Sequence, residues 1–394
     1  MRSRILVFVV AILALCVCVY GRSIPQLRTI YMGDSIFDVG TNKYVKNSVS
    51  RCDFVPYGET RFSKPSGRCS DGFIIPDLIN KAIGLPFSRP FLGLKAGRQL
   101  PLSINFASDG SGLLDSTHSD WGVVSFNEQL KQLTQLSKKN LNLNEFVVVI
   151  SSGGNDIAAN LQDIANVDLK AMLMSLEKGL EQLYKYGFRK IVYSSVGALG
   201  CSPIVTSGGK CVSEINNLVE EFNVQAQGIV LGVAKRFPGM KGTFVDGYSL
   251  IKSYVENPKR FGFKHAGGCC PNCLSQKNTF SGLCKNPSDY VFWDIIHPTE
   301  HTYMLLAKEF IKKIIQDQQN LGGYCCCLNR IVLRVAIAIS DIASLNNDRE
   351  LATLTRKDGS EVRSSLQDER PPAVIEFGVL ITTTMHIAHL VLYD

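Results

Sequence analysis

The stretch Phe146-Val147-Val148-Val149-Ile150 is a run of apolar residues with no polar interruption. A strand with one wet face alternates apolar and polar residues, whereas a strand buried on both faces of a parallel sheet is apolar throughout. Four more apolar runs have the length of strands, and they cover residues 27–32, 104–107, 190–194 and 243–245. Together these runs predict a mostly parallel sheet.

Longer segments with helical periodicity separate these runs. Apolar stripes repeat at helical spacing over residues 169–183 and over residues 215–229, the second after Ser213 as a predicted N-cap. A last helix is expected from about residue 298 to residue 315. This alternation predicts an α/β fold, namely a three-layer α/β/α sandwich with a mostly parallel central sheet. Ligands of such sheets bind beyond the carboxyl ends of the strands.

The composition is that of a large globular domain. The chain has 394 residues, of which 45% are hydrophobic and 20% are charged, and its net charge is +7 at pH 7. Lysine and arginine are dispersed and do not interleave with aromatic residues, which argues against nucleic acid as a partner. After about residue 320 the strand–helix pattern stops. We therefore expect one domain over residues 22–320 and a C-terminal extension over residues 321–394.

The N-terminal segment has the layout of a secretory signal peptide. Arg2 and Arg4 precede an almost wholly apolar run, and side chains of modest size lead up to Gly21. A transmembrane anchor is the alternative, but the run is short for a bilayer span. We expect a signal peptide at residues 1–21, a secreted protein and no stable membrane anchor.

The expected secretion bears on how the 13 cysteines of the chain are interpreted. Four lie close together at positions 269, 270, 273 and 284, and a metal site is one interpretation of this cluster. The Cys270 and Cys273 pair has no second pair at the spacing of a zinc site, and an oxidising compartment favours disulfides. Connectivity stays open, with Cys201–Cys211 as the best single prediction.

Two polar elements stand where catalytic groups of a parallel sheet belong. Gly33-Asp34-Ser35 directly follows the first predicted strand, so Ser35 lies in the turn, where a nucleophile would be exposed, although a serine there is more often an N-cap. Asp294 lies three residues before His297. Imidazole suits a general base near neutral pH, and a carboxylate would hold its second nitrogen. The alternative is that Asp294 and His297 are two surface residues of a loop with no catalytic role.

Two glycine-bearing loops also follow predicted strands. Residues 153–156 read Gly-Gly-Asn-Asp and residues 105–112 read Asn-Phe-Ala-Ser-Asp-Gly-Ser-Gly. Glycine lets the backbone approach a ligand closely, and the amide of Asn155 can donate to an oxyanion. A simple turn or a phosphate-binding loop is the alternative, but the spacing of known phosphate loops is absent.

In their order these elements resemble the GDSL esterase/lipase family of the SGNH hydrolase superfamily, and in particular its secreted plant branch. Residues 33–42 match the first family block, residues 105–112 the second, residues 153–156 the third and residues 294–297 the fifth. Shorter stretches around Tyr57, Arg68, Cys201 and Trp293 also match. The resemblance extends over about residues 28–316. It implies the flavodoxin-like SGNH hydrolase fold for the domain over residues 22–320.

The resemblance also implies roles for single residues. Ser35 would be the nucleophile, His297 the general base and Asp294 the residue that orients His297. The oxyanion would be bound by the backbone N–H groups of Ser35 and Gly110 and by the side chain of Asn155. No metal and no organic cofactor is expected. The oligomeric state stays unassigned.

Ile36 stands where the family's name-giving leucine would be, which is a conservative apolar exchange, and a second departure bears on the chemistry. Asp109 stands where the family has a small residue, next to Gly110. A carboxylate there would disfavour a nearby oxyanion unless it points away or is paired.

The implied function is a secreted esterase or lipase that acts on small-molecule, lipid or cell-wall esters through an acyl-enzyme. Two alternatives stay open. One is an acyltransferase, or a deacetylase of polysaccharides or metabolites, with the same triad. The other is a non-catalytic binding or defence protein that keeps the fold.

Overall fold

The computed structural model describes residues 27–95, 99–137, 141–206, 209–275 and 282–319. The predicted signal peptide at residues 1–21 and the predicted extension at residues 321–394 lie outside the described residues.

A six-stranded parallel sheet forms the centre of the described domain. Its strands are β1 (Arg28–Gly33), β2 (Arg89–Pro90), β3 (Ser103–Asn105), β4 (Phe146–Ser151), β5 (Lys190–Ser194) and β6 (Lys241–Val245). They are ordered β2-β3-β1-β4-β5-β6, and every pairing is parallel. A second parallel pair is formed by β7 (His265–Gly268) and β8 (Tyr290–Phe292).

The strand predictions are confirmed where the apolar runs were clearest. All six residues of β4 are buried, as expected for a strand covered on both faces. The runs at residues 27–32, 190–194 and 243–245 correspond to β1, β5 and β6, and the run at residues 104–107 corresponds to the shorter β3. The sequence did not predict β2, because two residues are too few to show a periodicity.

Helices cover both faces of the central sheet. The α-helices are α1 (Ile75–Ala82), α2 (Phe126–Ser137), α3 (Gly154–Ala158), α4 (Leu169–Tyr186), α5 (Pro203–Thr206), α6 (Ser213–Arg236), α7 (Gly247–Glu256) and α8 (Glu300–Gln319). Short 3-10 helices span Thr41–Tyr44, Phe91–Gly93, Ser119–Trp121, Leu143–Glu145, Ile164–Asn166, Leu199–Cys201, Pro258–Phe261 and Pro287–Asp289. Helix α4 packs against both α2 and α6, and α1 packs against α8. The predicted three-layer α/β/α sandwich is thereby confirmed.

Two helix starts differ from the predictions. Ser213 is the first residue of α6 rather than its cap, because Val212 occupies the N-cap position without a side-chain hydrogen bond. Helix α8 begins at Glu300, two residues after the proline. Its first N–H donates to the carboxylate of Asp71 at 2.7 Å, and the N–H of Thr302 donates to Thr299 Oγ1 at 3.3 Å, so a distant segment and a local residue together cap this helix.

Four disulfides join the eight cysteines that the structure describes. Cys201–Cys211 is confirmed, and the other pairs are Cys52–Cys69, Cys269–Cys284 and Cys270–Cys273. The metal interpretation of the cluster at residues 269–284 is therefore wrong, because its sulfurs are joined to each other. Cys325, Cys326 and Cys327 lie outside the described residues.

Strand β1 lies at the point where the order of strands along the chain reverses. From β1 the sheet runs through β3 to β2 on one side and through β4, β5 and β6 on the other. At such a switch point the loops that leave neighbouring strands diverge, and a crevice opens between them. Residues just after β1, β3 and β4 are therefore brought together.

Candidate active site

The turn that carries Ser35 is set by Gly33 at the end of β1. Gly33 has φ +122°, and a side chain there would collide with the carbonyl of Ser151 on β4. The amide of Gln129 on α2 clamps Gly33, accepting from its N–H at 2.8 Å and donating to its carbonyl at 2.9 Å. The N–H groups of Phe37 and Asp38 then close a tight turn on the carbonyl of residue 34.

This turn brings Ser35 to His297, although the two residues are far apart in sequence. The distance from Ser35 Oγ to His297 Nε2 is 2.9 Å, and the distance from His297 Nδ1 to Asp294 Oδ2 is 2.7 Å. All three residues are less than one-tenth exposed. The structure thus joins the predicted nucleophile, base and orienting carboxylate in one hydrogen-bonded chain.

Asp294 is fixed by donors to both of its oxygens. The backbone N–H groups of Ile296 and His297 donate to Oδ1 at 2.8 and 2.7 Å, which is the local turn that the three-residue spacing indicated. The hydroxyl of Tyr57 donates to Oδ2 at 2.7 Å. Sequence reasoning assigned no role to Tyr57, although it noted the surrounding Pro-Tyr-Gly stretch.

Carboxylates set the electrostatics of His297. Burial on its own lowers the pKa of His297, but the charge and hydrogen bond of Asp294, together with the charges of Asp109 and Asp34, raise it above its ordinary value of 6.5. For Asp294, burial opposes ionisation, but the attraction and hydrogen bonds of His297 prevail and lower the pKa of the carboxyl. The pair is therefore arranged to stabilise an imidazolium.

Two further carboxyl groups face the same site. Burial raises the pKa of Asp34 to about 7, against weaker hydrogen bonds from Ile36 N and Ser151 Oγ. Burial also raises the pKa of Asp109, which makes a side-chain hydrogen bond with Ser50. Burial thus disfavours the charged form of the Asp109 carboxyl and Ser50 provides it with a partner, and each effect reduces its repulsion of an oxyanion at Gly110.

Gly110 lies in the loop after β3, and the loop after β4 holds it in place. Asp156 accepts hydrogen bonds from the N–H groups of Leu113 and Leu114 at 2.8 and 3.0 Å and from the hydroxyl of Thr117 at 2.6 Å. The side chain of Asn155 donates to the carbonyl of Ser111 at 2.9 Å. The Gly-Gly-Asn-Asp stretch therefore anchors the other glycine-bearing loop, a structural role that the sequence did not reveal.

The three predicted oxyanion donors line one cavity with the predicted nucleophile. Within the described residues, neither the N–H of Ser35 nor that of Gly110 donates to a protein acceptor. Asn155 uses only one of its two amide hydrogens on Ser111. Gly110 has φ +83°, a conformation that a residue with a side chain rarely adopts.

The cavity has a volume of about 470 Å³ and is largely apolar. Its buried wall comes from the segments after β5, from β8, from α7 and from α8, and it comprises Val196, Ala198, Leu199, Ile251, Phe292, Leu306 and Phe310. At its mouth Val49, Trp121 and Ile204 are 57%, 39% and 41% exposed. A cavity of this size and lining suits an apolar group considerably larger than acetyl.

One group of side chains in the described part of the chain has the spacing of a metal site. Ligand atoms of Cys52, Cys69 and Asp109 lie within 4.8 Å of one another. Cys52 and Cys69 are joined in a disulfide, so they lack the thiolates that bind metals, and this group does not fit a metal ion. Across the described residues, no helix is long and apolar enough to span a membrane.

The chain is similar to two plant proteins and to one solved structure. GDSL esterase/lipase 6 of Arabidopsis thaliana is 34% identical to this chain over 319 residues, which is 73% of this chain and 86% of that protein. Another GDSL esterase/lipase of the same plant is 30% identical over 347 residues, which is 77% of this chain and 95% of that protein. A solved acetyl xylan esterase aligns with a TM-score of 0.38 at 12% identity, covering 73% of this chain and 98% of that one.

A family model described as GDSL-like Lipase/Acylhydrolase matches residues 30–310. This match spans both glycine-bearing loops, Ser35 and the segment from Asp294 to His297. The chain therefore belongs to the family of GDSL-like lipases and acylhydrolases, which are carboxylic ester hydrolases.

Proposed function

We propose that this enzyme hydrolyses esters of apolar carboxylic acids through an acyl-enzyme on Ser35. The observation that carries the proposal is the hydrogen-bonded chain from Ser35 Oγ through the imidazole of His297 to Asp294, at 2.9 and 2.7 Å. A serine hydroxyl is a weak nucleophile by itself, and an adjacent base that is held by a third group activates it.

In the first half of the reaction Ser35 Oγ attacks the ester carbonyl while His297 Nε2 accepts the hydroxyl proton. Asp294 stabilises the imidazolium that forms. The imidazolium then gives its proton to the alkoxide as the ester bond breaks, so that the alcohol leaves and the acyl group stays on the serine. In the second half His297 Nε2 accepts a proton from the water that attacks the acyl carbonyl. The imidazolium then gives this proton to Ser35 Oγ as the bond between the serine and the acyl group breaks and the carboxylic acid leaves.

The developing negative charge on the carbonyl oxygen would be met by three donors, namely the N–H groups of Ser35 and Gly110 and the amide of Asn155. This assignment is supported by two observations: all three residues line the same cavity, and each donor retains a hydrogen that no protein acceptor uses among the described residues. One such donor is typically worth about 10²–10³ in turnover. The fixed glycine-bearing loops keep these donors oriented before substrate binds.

The apolar cavity favours an acyl chain as its occupant. Each buried methylene contributes about 0.8 kcal/mol, which a pocket lined by aliphatic and aromatic side chains can supply. Substrates with acyl chains longer than acetyl should therefore have the higher kcat/KM.

We further propose that the enzyme is secreted. The support is the predicted signal peptide at residues 1–21 together with four disulfides in the described domain, since disulfides persist in oxidising compartments. Expression in plant cells of the full chain and of a chain that starts at residue 22 tests this. Activity in the medium only with residues 1–21 present is expected, and equal export of both chains would contradict it.

The catalytic proposal is tested by p-nitrophenyl ester hydrolysis across acyl lengths, with wild type beside Ser35→Ala. We expect turnover by the wild type and its loss in the variant, with the thermal unfolding midpoint unchanged. Retained turnover in Ser35→Ala would remove Ser35 from the mechanism. A steady decrease of kcat/KM from acetyl to octanoyl esters would contradict the cavity as an acyl site.

A further inference from the structure

Tyr57 reaches the catalytic site from the Pro-Tyr-Gly stretch, which lies outside the four blocks that carry the triad and the predicted oxyanion donors. Its hydroxyl lies 2.7 Å from Asp294 Oδ2, the same oxygen that receives His297 Nδ1 at 2.7 Å. The side chain is 1% exposed. Two donors therefore share one carboxylate oxygen, and one of them is the catalytic imidazole.

The surroundings hold the tyrosine ring in one place. Its ring makes edge contacts with Phe54 at 5.1 Å and with Trp293, the neighbour of Asp294, at 6.2 Å between centroids. The Cys52–Cys69 disulfide closes the segment that carries Tyr57, and these cysteines pack in the same small apolar cluster. Tyr57 does not line the cavity, whereas Phe54 does.

Tyr57 can act toward Asp294 only as a donor. Burial first, and then the charge of Asp294, raise the pKa of the Tyr57 phenol well above its ordinary value of 10. The hydroxyl therefore keeps its proton around neutral pH. A neutral O–H that donates to a carboxylate draws part of its negative charge away from the imidazole.

We propose that Tyr57 is a positioning residue of the triad, which orients the Asp294 carboxylate and limits how strongly that carboxylate favours the protonated imidazole. The inference rests on the proposed function, because it assumes that His297 is the base. Without the Tyr57 hydroxyl, His297 is the only hydrogen-bond donor to Asp294 Oδ2. The carboxylate then stabilises the imidazolium of His297 more strongly. His297 then stays protonated up to a higher pH, and a protonated imidazole cannot act as the general base.

The other titratable groups around His297 are the same in the variant and in the wild type. The carboxyl groups whose charges act on His297 are Asp294, Asp34 and Asp109, and two further titratable side chains, Tyr303 of helix α8 and His118 of the segment after Gly110, line the same cavity. A change at Tyr57 alone therefore isolates the effect of its hydroxyl on the acid limb of the rate profile.

The experiment compares the pH dependence of kcat/KM for Tyr57→Phe and wild type on one short p-nitrophenyl ester. We expect the acid limb to move up by roughly 0.5–1 pH unit, because the lost bond is to a charged group and one unit corresponds to a tenfold change in protonation. KM should stay within about twofold, since Tyr57 does not touch the cavity. An acid limb at the wild-type position overturns the proposal, and a loss of thermal stability alone does not support it.

Tyr31→Phe is the matched control. Tyr31 is also a fully buried tyrosine, but its hydroxyl donates to Asn80 at 2.8 Å rather than to Asp294. The acid limb of the Tyr31→Phe variant should stay at the wild-type position. An equal shift of the acid limb in Tyr31→Phe and Tyr57→Phe overturns the proposal.

Replacement of Tyr57 by 3-fluorotyrosine keeps the packing and covers the case in which Tyr57→Phe fails to fold. The more acidic phenol is the stronger donor, so the acid limb should move down, and an upward shift or no shift overturns the proposal. Ser35→Ala is assayed in parallel. Loss of turnover in Ser35→Ala with no shift at Tyr57 refutes this inference alone, whereas retained turnover refutes the proposed function.

Discussion

Asp294→Asn is the substitution whose effect the geometry defines most closely. Oδ1 accepts two backbone N–H groups, from Ile296 at 2.8 Å and from His297 at 2.7 Å, and only an oxygen can do this. The asparagine must therefore place its carbonyl there and its NH2 group in the position of Oδ2. That NH2 group faces the Nδ1 atom of His297, which now has to accept a hydrogen bond.

The consequence is a change of tautomer at the catalytic base. If Nδ1 accepts, the single proton of neutral His297 sits on Nε2, which faces Ser35 Oγ at 2.9 Å. A protonated Nε2 cannot take the serine proton. The corresponding change in serine proteases lowers kcat by about 10⁴, which is about 5 kcal/mol of transition-state stabilisation, and we expect a loss of this size.

The assay is kcat and KM on a p-nitrophenyl ester between pH 6 and pH 9, together with a thermal unfolding curve. No pH in this range should restore activity, because the tautomer rather than the net protonation is wrong. Asp115→Asn is the control, since Asp115 is exposed and lies outside the cavity. A folded Asp294→Asn variant with a kcat within tenfold of the wild type would refute the reasoning.

Three other predictions follow from the same structure. Because the pKa of His297 is raised above 6.5 and the base must be neutral, kcat/KM should fall as the pH decreases, with a midpoint above pH 6.5; a flat pH profile would exclude a histidine base. Arg68→Met removes both guanidinium bonds of 2.7 Å to Asp77, which is 1% exposed, and should lower the free energy of unfolding in urea by about 3–5 kcal/mol. A change below 1 kcal/mol would show that water reaches this carboxylate. Leu306→Trp fills part of the cavity and should lower the ratio of octanoyl to acetyl kcat/KM about tenfold, the equivalent of roughly two methylenes, whereas Leu231→Trp on exposed helix surface should leave the ratio unchanged; equal ratios would place the acyl chain elsewhere.

Local signals determined much of this protein from the sequence alone. The unbroken apolar run at residues 146–150 predicted a strand buried on both faces, since only such a strand has no wet side. The three-residue spacing of Asp294 and His297 predicted a local pair, because one turn of chain suffices to bring the carboxylate to the imidazole. The Cys201–Cys211 pair was predictable because the two cysteines are ten residues apart.

Only the tertiary structure decided how distant segments meet. Tyr57 and Asp294 are 237 residues apart, and the fold brings them together beside the Cys52–Cys69 disulfide and the Trp293 ring. The clamp of Gln129 on Gly33 and the anchoring of the Gly110 loop by Asp156 depend on packing in the same way. The hydrophobic periodicity of a segment and the near neighbours of a residue can be read from the local sequence. The partner of a buried polar group depends instead on which surfaces the whole chain brings together.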